Sequence, residues 1–104
     1  MIEYTSLDIS KRLAEAGFKA EERRLVKMVE DARGGTADIW GYRADVLLSW
    51  LLSHGDSIEI TPDLDGFNVT YWVKHEDYNG INIFLCDALG EVILNVLAKE
   101  AEHD

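Results

Sequence analysis

Midway along the chain, at Ser57, the spacing of apolar residues changes from three-and-four to two, and this switch restricts the fold more than any motif. A helical period gathers apolar side chains on one stripe, whereas a period of two gathers them on one face of a strand. After the switch, Ile58 and Ile60 alternate with Ser57, Glu59 and Thr61. Pro62-Asp63-Leu64-Asp65-Gly66 then has turn chemistry, and Phe67, Val69, Tyr71 and Val73 alternate with Asn68, Thr70, Trp72 and Lys74. The pattern predicts a hairpin with strands at 57–61 and 67–74. The polar stretch His75 to Gly80 reads as a turn, and Ile81, Ile83 and Leu85 around Asn82 and Phe84 read as a third strand at 81–85. Turns of this length join antiparallel neighbours.

The segments around this sheet read as helices. Thr5 or Ser6 can cap a helix over 6–16, Thr5 with Asp8 forming a loose capping box, and Gly17 followed by Phe18 is a Schellman-type stop. Leu25, Met28, Val29 and Ala32, set against Glu21, Glu22, Arg23, Arg24 and Lys27, predict a second helix over 20–32. The three glycines within 34–42 predict a loop. A third helix over 43–54 is apolar nearly all round, so it is buried in its own core or in a subunit contact. Leu89, Val92, Ile93, Val96 and Leu97 mark a fourth, over 88–101, which Asp87 can cap. Helices, then strands, then a helix indicate an α+β fold, with helices covering one face of an antiparallel sheet of two to three strands. At 104 residues the expected organisation is a single domain, 1–104.

Composition excludes several classes. A lone cysteine, Cys86, cannot form an internal bridge and fits a reducing cytosol, so a cytoplasmic location is expected. No apolar run approaches the roughly 18 residues that cross a bilayer. His54, His75, His103 and Cys86 lack the paired spacing of a zinc site. Asp63-Leu64-Asp65-Gly66 resembles the start of a calcium loop, but Lys74 stands where the closing glutamate would fall. Gly34-Gly35 lacks the Lys and Ser/Thr of a phosphate loop. Cys86 at a strand-to-helix junction is a conceivable nucleophile with His75 as base, although Asp87 beside it disfavours thiolate. No catalytic, cofactor-binding or metal-binding residues are therefore expected, and the chain reads as a non-enzyme.

Charge constrains partners. Residues 51–104 hold eleven of the twenty acids and two of the ten bases, a formal charge of −9, while residues 1–50 hold nine acids and eight bases, −1. Such a field repels phosphate and attracts cationic surfaces, so nucleic acid and membrane are disfavoured and a basic protein partner is favoured. The candidate partner-binding set is Asp56, Glu59, Asp63, Asp65, Glu76 and Asp77, with Trp72 and Tyr78 as the aromatics interfaces use. The same acid could instead serve only solubility, and Trp72 could lie in a core. A helix-turn-helix over 6–32, contacting phosphates through Lys11, Arg12, Lys19, Arg23, Arg24 and Lys27, is the alternative, though nearby acids nearly cancel that charge. The apolar 43–54 helix and the aromatic residues also suggest a homodimer.

Thr5-Ser6-Leu7-Asp8-Ile9-Ser10-Lys11-Arg12-Leu13-Ala14-Glu15-Ala16-Gly17-Phe18, then Arg43 to Leu51, then Asp87-Ala88-Leu89-Gly90-Glu91 resemble, in the same order, small uncharacterised proteins encoded in phage and prophage genomes. The resemblance implies such an origin and a non-enzymatic accessory role, and it transfers no functional residues.

Overall fold

In a computed structural model, residues 4–20, 24–30, 36–74 and 76–102 are described. They form an α+β fold whose order is α1 (Leu7–Glu15), β1 (Arg24–Glu30), β2 (Thr36–Gly41), α2 (Ala44–His54), β3 (Ser57–Asp63), β4 (Gly66–Val73), β5 (Glu76–Asn82) and α3 (Leu85–Glu102). β3, β4 and β5 make a three-stranded antiparallel meander, and β1 and β2 pair separately as a hairpin. α3 lies on β4 and β5, α2 packs on α3 and touches β3, and α1 bridges α3 and β2.

α1 begins where Ser6 Oγ accepts a hydrogen bond from the Ile9 amide. Thr5 is not the cap. It is buried, and its Oγ1 accepts from the Tyr42 amide at 3.1 Å while its own amide donates to the Tyr42 carbonyl, tying the start of α1 to the end of β2. The helix ends as the glycine signals: Gly17 sits at φ +85°, its amide donates to the Ala14 carbonyl, and the Phe18 amide donates to Leu13. This is the Schellman pattern, and its apolar residue, Phe18, is buried edge-on against Tyr42 and Trp50.

α2 explains its own composition. Leu47 and Leu51 are fully buried, Val46, Leu48 and Trp50 pack partly buried against the same core, and Leu52 alone of its large apolar side chains is mostly exposed. α3 is the core's axis, with Cys86, Ala88, Leu89, Val92 and Ile93 inaccessible because it is covered by the sheet on one side and by α1 and α2 on another.

Four sequence expectations are corrected. The helix over 20–32 does not form, since Arg24–Glu30 is a strand paired antiparallel with Thr36–Gly41, a segment expected to be a loop. The register slips between Leu25 and Lys27. An inserted residue breaks strict alternation, which leaves Leu25 and Met28 three apart and imitates a helix. The helix-turn-helix over 6–32 thereby loses its second helix. Next, the turn placed at 75–80 is narrower: β4 ends at Val73, Lys74 takes a positive φ of 50°, and β5 already runs from Glu76. Finally, the third strand ends at Asn82 rather than at Leu85. Residues 83 and 84 form the bend into α3, which starts at Leu85, before Asp87, with the Ala88 amide donating to the Phe84 carbonyl.

β5 is also turned over relative to its apolar pattern. Tyr78 and Gly80 face the core opposite Tyr71 and Val69, whereas Ile81 is exposed. Gly80 decides this, because a Cβ there would press on the Ala88 carbonyl oxygen and lie 2.9 Å from Val92 Cγ2. α3 crosses the sheet where the missing side chain lets two backbones meet. Its buried stripe, Leu89, Val92, Ile93 and Val96 with Leu97 partly buried, is as the sequence spacing predicts.

Candidate functional site

Among the described residues, the helices cover one face of the β3–β4–β5 sheet and leave the other open. Strand alternation and the register fix what stands on the open face. On the central strand are Asn68, Thr70 and Trp72; opposite Trp72 are Ser57 and Asp77, opposite Thr70 are Glu59 and Asn79, and opposite Asn68 are Thr61 and Ile81. Directly opposed residues place their Cβ atoms about 5 Å apart, so Asp77 stands beside the indole of Trp72 and Glu59 lies diagonal to it. Trp72 is half-buried, while Glu59, Asp63 and Asp77 are exposed. Asp63 closes the row at the β3–β4 turn, paired with Gly66, and Asp65 follows in the turn itself. The candidate residues Glu59, Asp63, Trp72 and Asp77 are thus brought onto one surface, with Asp65 at its end.

The other candidates fall elsewhere. Asp56 accepts from the Lys74 amide at 3.2 Å and braces the β4–β5 turn. Glu76 and Tyr78 lie on the opposite face, where the Tyr78 hydroxyl donates to Glu76 Oε2 at 2.8 Å. Both line a cleft of about 360 Å³ that Lys74, Lys99, His54 and Glu100 also border, so its charges are mixed. Partial burial, then the Glu76 carboxylate, push the Tyr78 hydroxyl above its ordinary pKa. Deeper in, the Tyr71 hydroxyl donates to the Leu51 carbonyl at 2.6 Å, an acceptor that the end of α2 leaves free. Burial first, then Asp56 and Glu100, raise its pKa.

Among the described residues no ion pair joins a carboxylate of the second half to a cation of the first. Among the described residues the ion pairs are Arg12 with Asp8 and Arg43 with Asp45, both exposed and both internal to the first half. Asp87, in contrast, is withdrawn from any surface role: it is buried and accepts from the Ser6 amide at 2.7 Å. Cys86 is buried in the first turn of α3, and its proposed partner His75 lies outside the described residues. His54 stacks on Trp50 at 4.2 Å and its Nδ1 lies 2.7 Å from the Trp50 carbonyl oxygen, so it completes the end of α2. Among the described residues no group of three His, Cys, Asp or Glu side chains could hold a metal ion, and no helix is long and apolar enough to cross a membrane.

The open face also carries residues the sequence reading passed over. Ile81 is exposed beside Asn68, whose Oδ1 is buried without a hydrogen-bond partner. Leu64, Ile83 and Phe84 are exposed at the same end of the sheet. Tyr78 and Gly80 were the signal for this arrangement, because they occupy the alternate parity to Ile81. No family model, curated protein or solved structure matches the chain.

Proposed function

We propose that the protein is a small, non-enzymatic interaction module that binds a basic partner protein through the open face of its β3–β4–β5 sheet. What supports this is one arrangement: an accessible indole, Trp72, on the central strand, framed by Asp77 and Glu59 with Asp63 beyond, and no cation of a described residue paired to any of these carboxylates. An aromatic anchor flanked by carboxylates gives a partner both area and steering. In a sharper form the carboxylates stand where phosphates would, and the partner is a nucleic-acid-binding protein whose groove they fill. The phage or prophage origin and a cytoplasmic setting belong to the same proposal, since an acidic accessory protein would act on host proteins there.

Affinity capture from lysate at low and high salt tests it, using the wild type and a Glu59→Gln/Asp63→Asn/Asp77→Asn variant. The proposal expects capture at low salt that the variant loses, because rim charges act through a screened field. Capture at neither salt, or equal capture by the variant, would refute it. Self-association through α2 is the lesser part of the proposal and rests on exposed Leu52. A sedimentation mass equal to the chain value of 11.8 kDa would remove it.

A further inference from the structure

Where the β3–β4 turn meets the β5–α3 junction, four large apolar side chains stand in water: Leu64 is fully exposed, Ile81 and Ile83 are each 66% exposed and Phe84 is 54% exposed. The backbone gathers them at one end of the sheet. A Cβ on Gly66 would meet the Asn82 carbonyl oxygen and lie 2.7 Å from the Ile83 Cα, so the turn that carries Leu64 rests against the segment that carries Ile83 and Phe84. Ile81 continues the group onto the open face beside Asn68. Several exposed apolar side chains brought to one end of a small protein mark a contact site.

Among the residues of the strands and turns that form this end, the charge has one sign. Glu59, Asp63 and Asp65 belong to the strand and turn that form this end, and between Gly55 and Asp87 the only Lys or Arg is Lys74, in the turn at the far end of the sheet. We infer that this end is a docking site for an amphipathic, cationic segment of a partner protein, whose apolar side chains cover Leu64, Ile81, Ile83 and Phe84 while its Lys or Arg meet Glu59, Asp63 and Asp65. The inference rests on the function proposed above and narrows it to a partner with an apolar stripe. A second copy of this chain would set Asp63 and Asp65 against their own counterparts, and an anionic lipid surface would be repelled by the same residues.

The test uses a synthetic peptide of Leu and Lys in helical amphipathic spacing, a Leu/Glu peptide of the same spacing, and a Lys/Ser peptide with no apolar stripe. Amide chemical-shift mapping on the wild-type protein should place the Leu/Lys contact at residues 59–68 and 79–85. A Leu64→Ser/Ile81→Thr/Phe84→Ser variant should bind the Leu/Lys peptide at least about tenfold more weakly, a difference equilibrium titration reads directly. Because these side chains are exposed, the variant should keep the wild-type melting midpoint. Shifts mapping elsewhere, an unchanged variant affinity, equal binding of the Leu/Glu peptide, or a dimer that the variant abolishes would each overturn the inference. Equal binding of the Lys/Ser peptide would overturn it too, yet leave the charge-based function standing.

Discussion

Replacing Gly80 with alanine tests the way α3 sits on the sheet, and with it the assignment of one face to the core and the other to solvent. The new Cβ would press on the Ala88 carbonyl oxygen, with Val92 Cγ2 at 2.9 Å and the Ala88 carbonyl carbon at 3.3 Å. Two of these atoms are helix backbone and cannot rotate aside. Restoring a carbon–carbon contact of about 3.5 Å or more requires α3 to retreat by roughly 0.5–1 Å. Leu89, Val92 and Ile93 are fully buried on that helix, so the retreat loosens their packing as well. Overpacking of this kind costs about 1–3 kcal/mol, and a rigid backbone obstacle belongs at the upper end. For a domain of about 100 residues this lowers Tm by more than about 10 °C. Urea unfolding should show a lower midpoint at unchanged slope. The control is Ile81→Ala on the neighbouring, exposed position, which should stay within about 0.5 kcal/mol of wild type. A neutral Gly80→Ala together with a costly Ile81→Ala would mean that β5 is turned the other way, with Ile81 in the core.

Further expectations concern the residues that fix the helices. Tyr71→Phe removes the donor to the Leu51 carbonyl and should cost about 1 kcal/mol in chemical denaturation. Because the Tyr71 pKa is raised in the folded state above its ordinary 10.0, its contribution is intact below pH 10 and is lost as pH rises through the folded value; unfolding followed against pH should show an alkaline decline that is shallower in Tyr71→Phe. Gly17→Ala meets no atom within 4 Å but must hold φ at +85°, so a loss of about 1 kcal/mol would be purely conformational, and no loss would refute the Schellman stop. Thr5→Val leaves the Tyr42 amide without its acceptor and should cost about 1–3 kcal/mol by thermal melting, against almost nothing for Ser49→Ala on the exposed side of α2.

The elements whose local chemistry agrees with their environment were legible in the sequence. α1 carries its own stop in Gly17-Phe18, α3 its stripe from Leu89 to Leu97, and β3–β4 an alternation interrupted only by Pro62 to Gly66. Two kinds of physics hid the rest. In β1, a register slip between Leu25 and Lys27 converts a period of two into a spacing of three, and only pairing with β2 across Gly34-Gly35 reveals a strand. In β5, close approach of α3 requires glycine on the inner face, which forces Ile81 outward against the preference of its side chain. The candidate site was half legible. The acids were visible as composition, but which of them share a face depends on register, so Glu59 and Asp77 flank Trp72 with Asp63 on the same face at the β3–β4 turn, while Asp56 and Glu76 are diverted to the β4–β5 turn and the mixed cleft. The exposed Leu64, Ile83 and Phe84 follow from where a turn and a helix junction meet, which no local pattern encodes.

Equilibrium binding of poly-lysine as a function of salt, compared between wild type and the Glu59→Gln/Asp63→Asn/Asp77→Asn variant, tests the central claim most directly. An open face that recruits cations should give a wild-type affinity that falls steeply with added salt and a variant that binds more weakly with a shallower slope. Identical affinity and slope for the two proteins would show that the negative charge serves solubility alone and that this face is not where a basic partner binds.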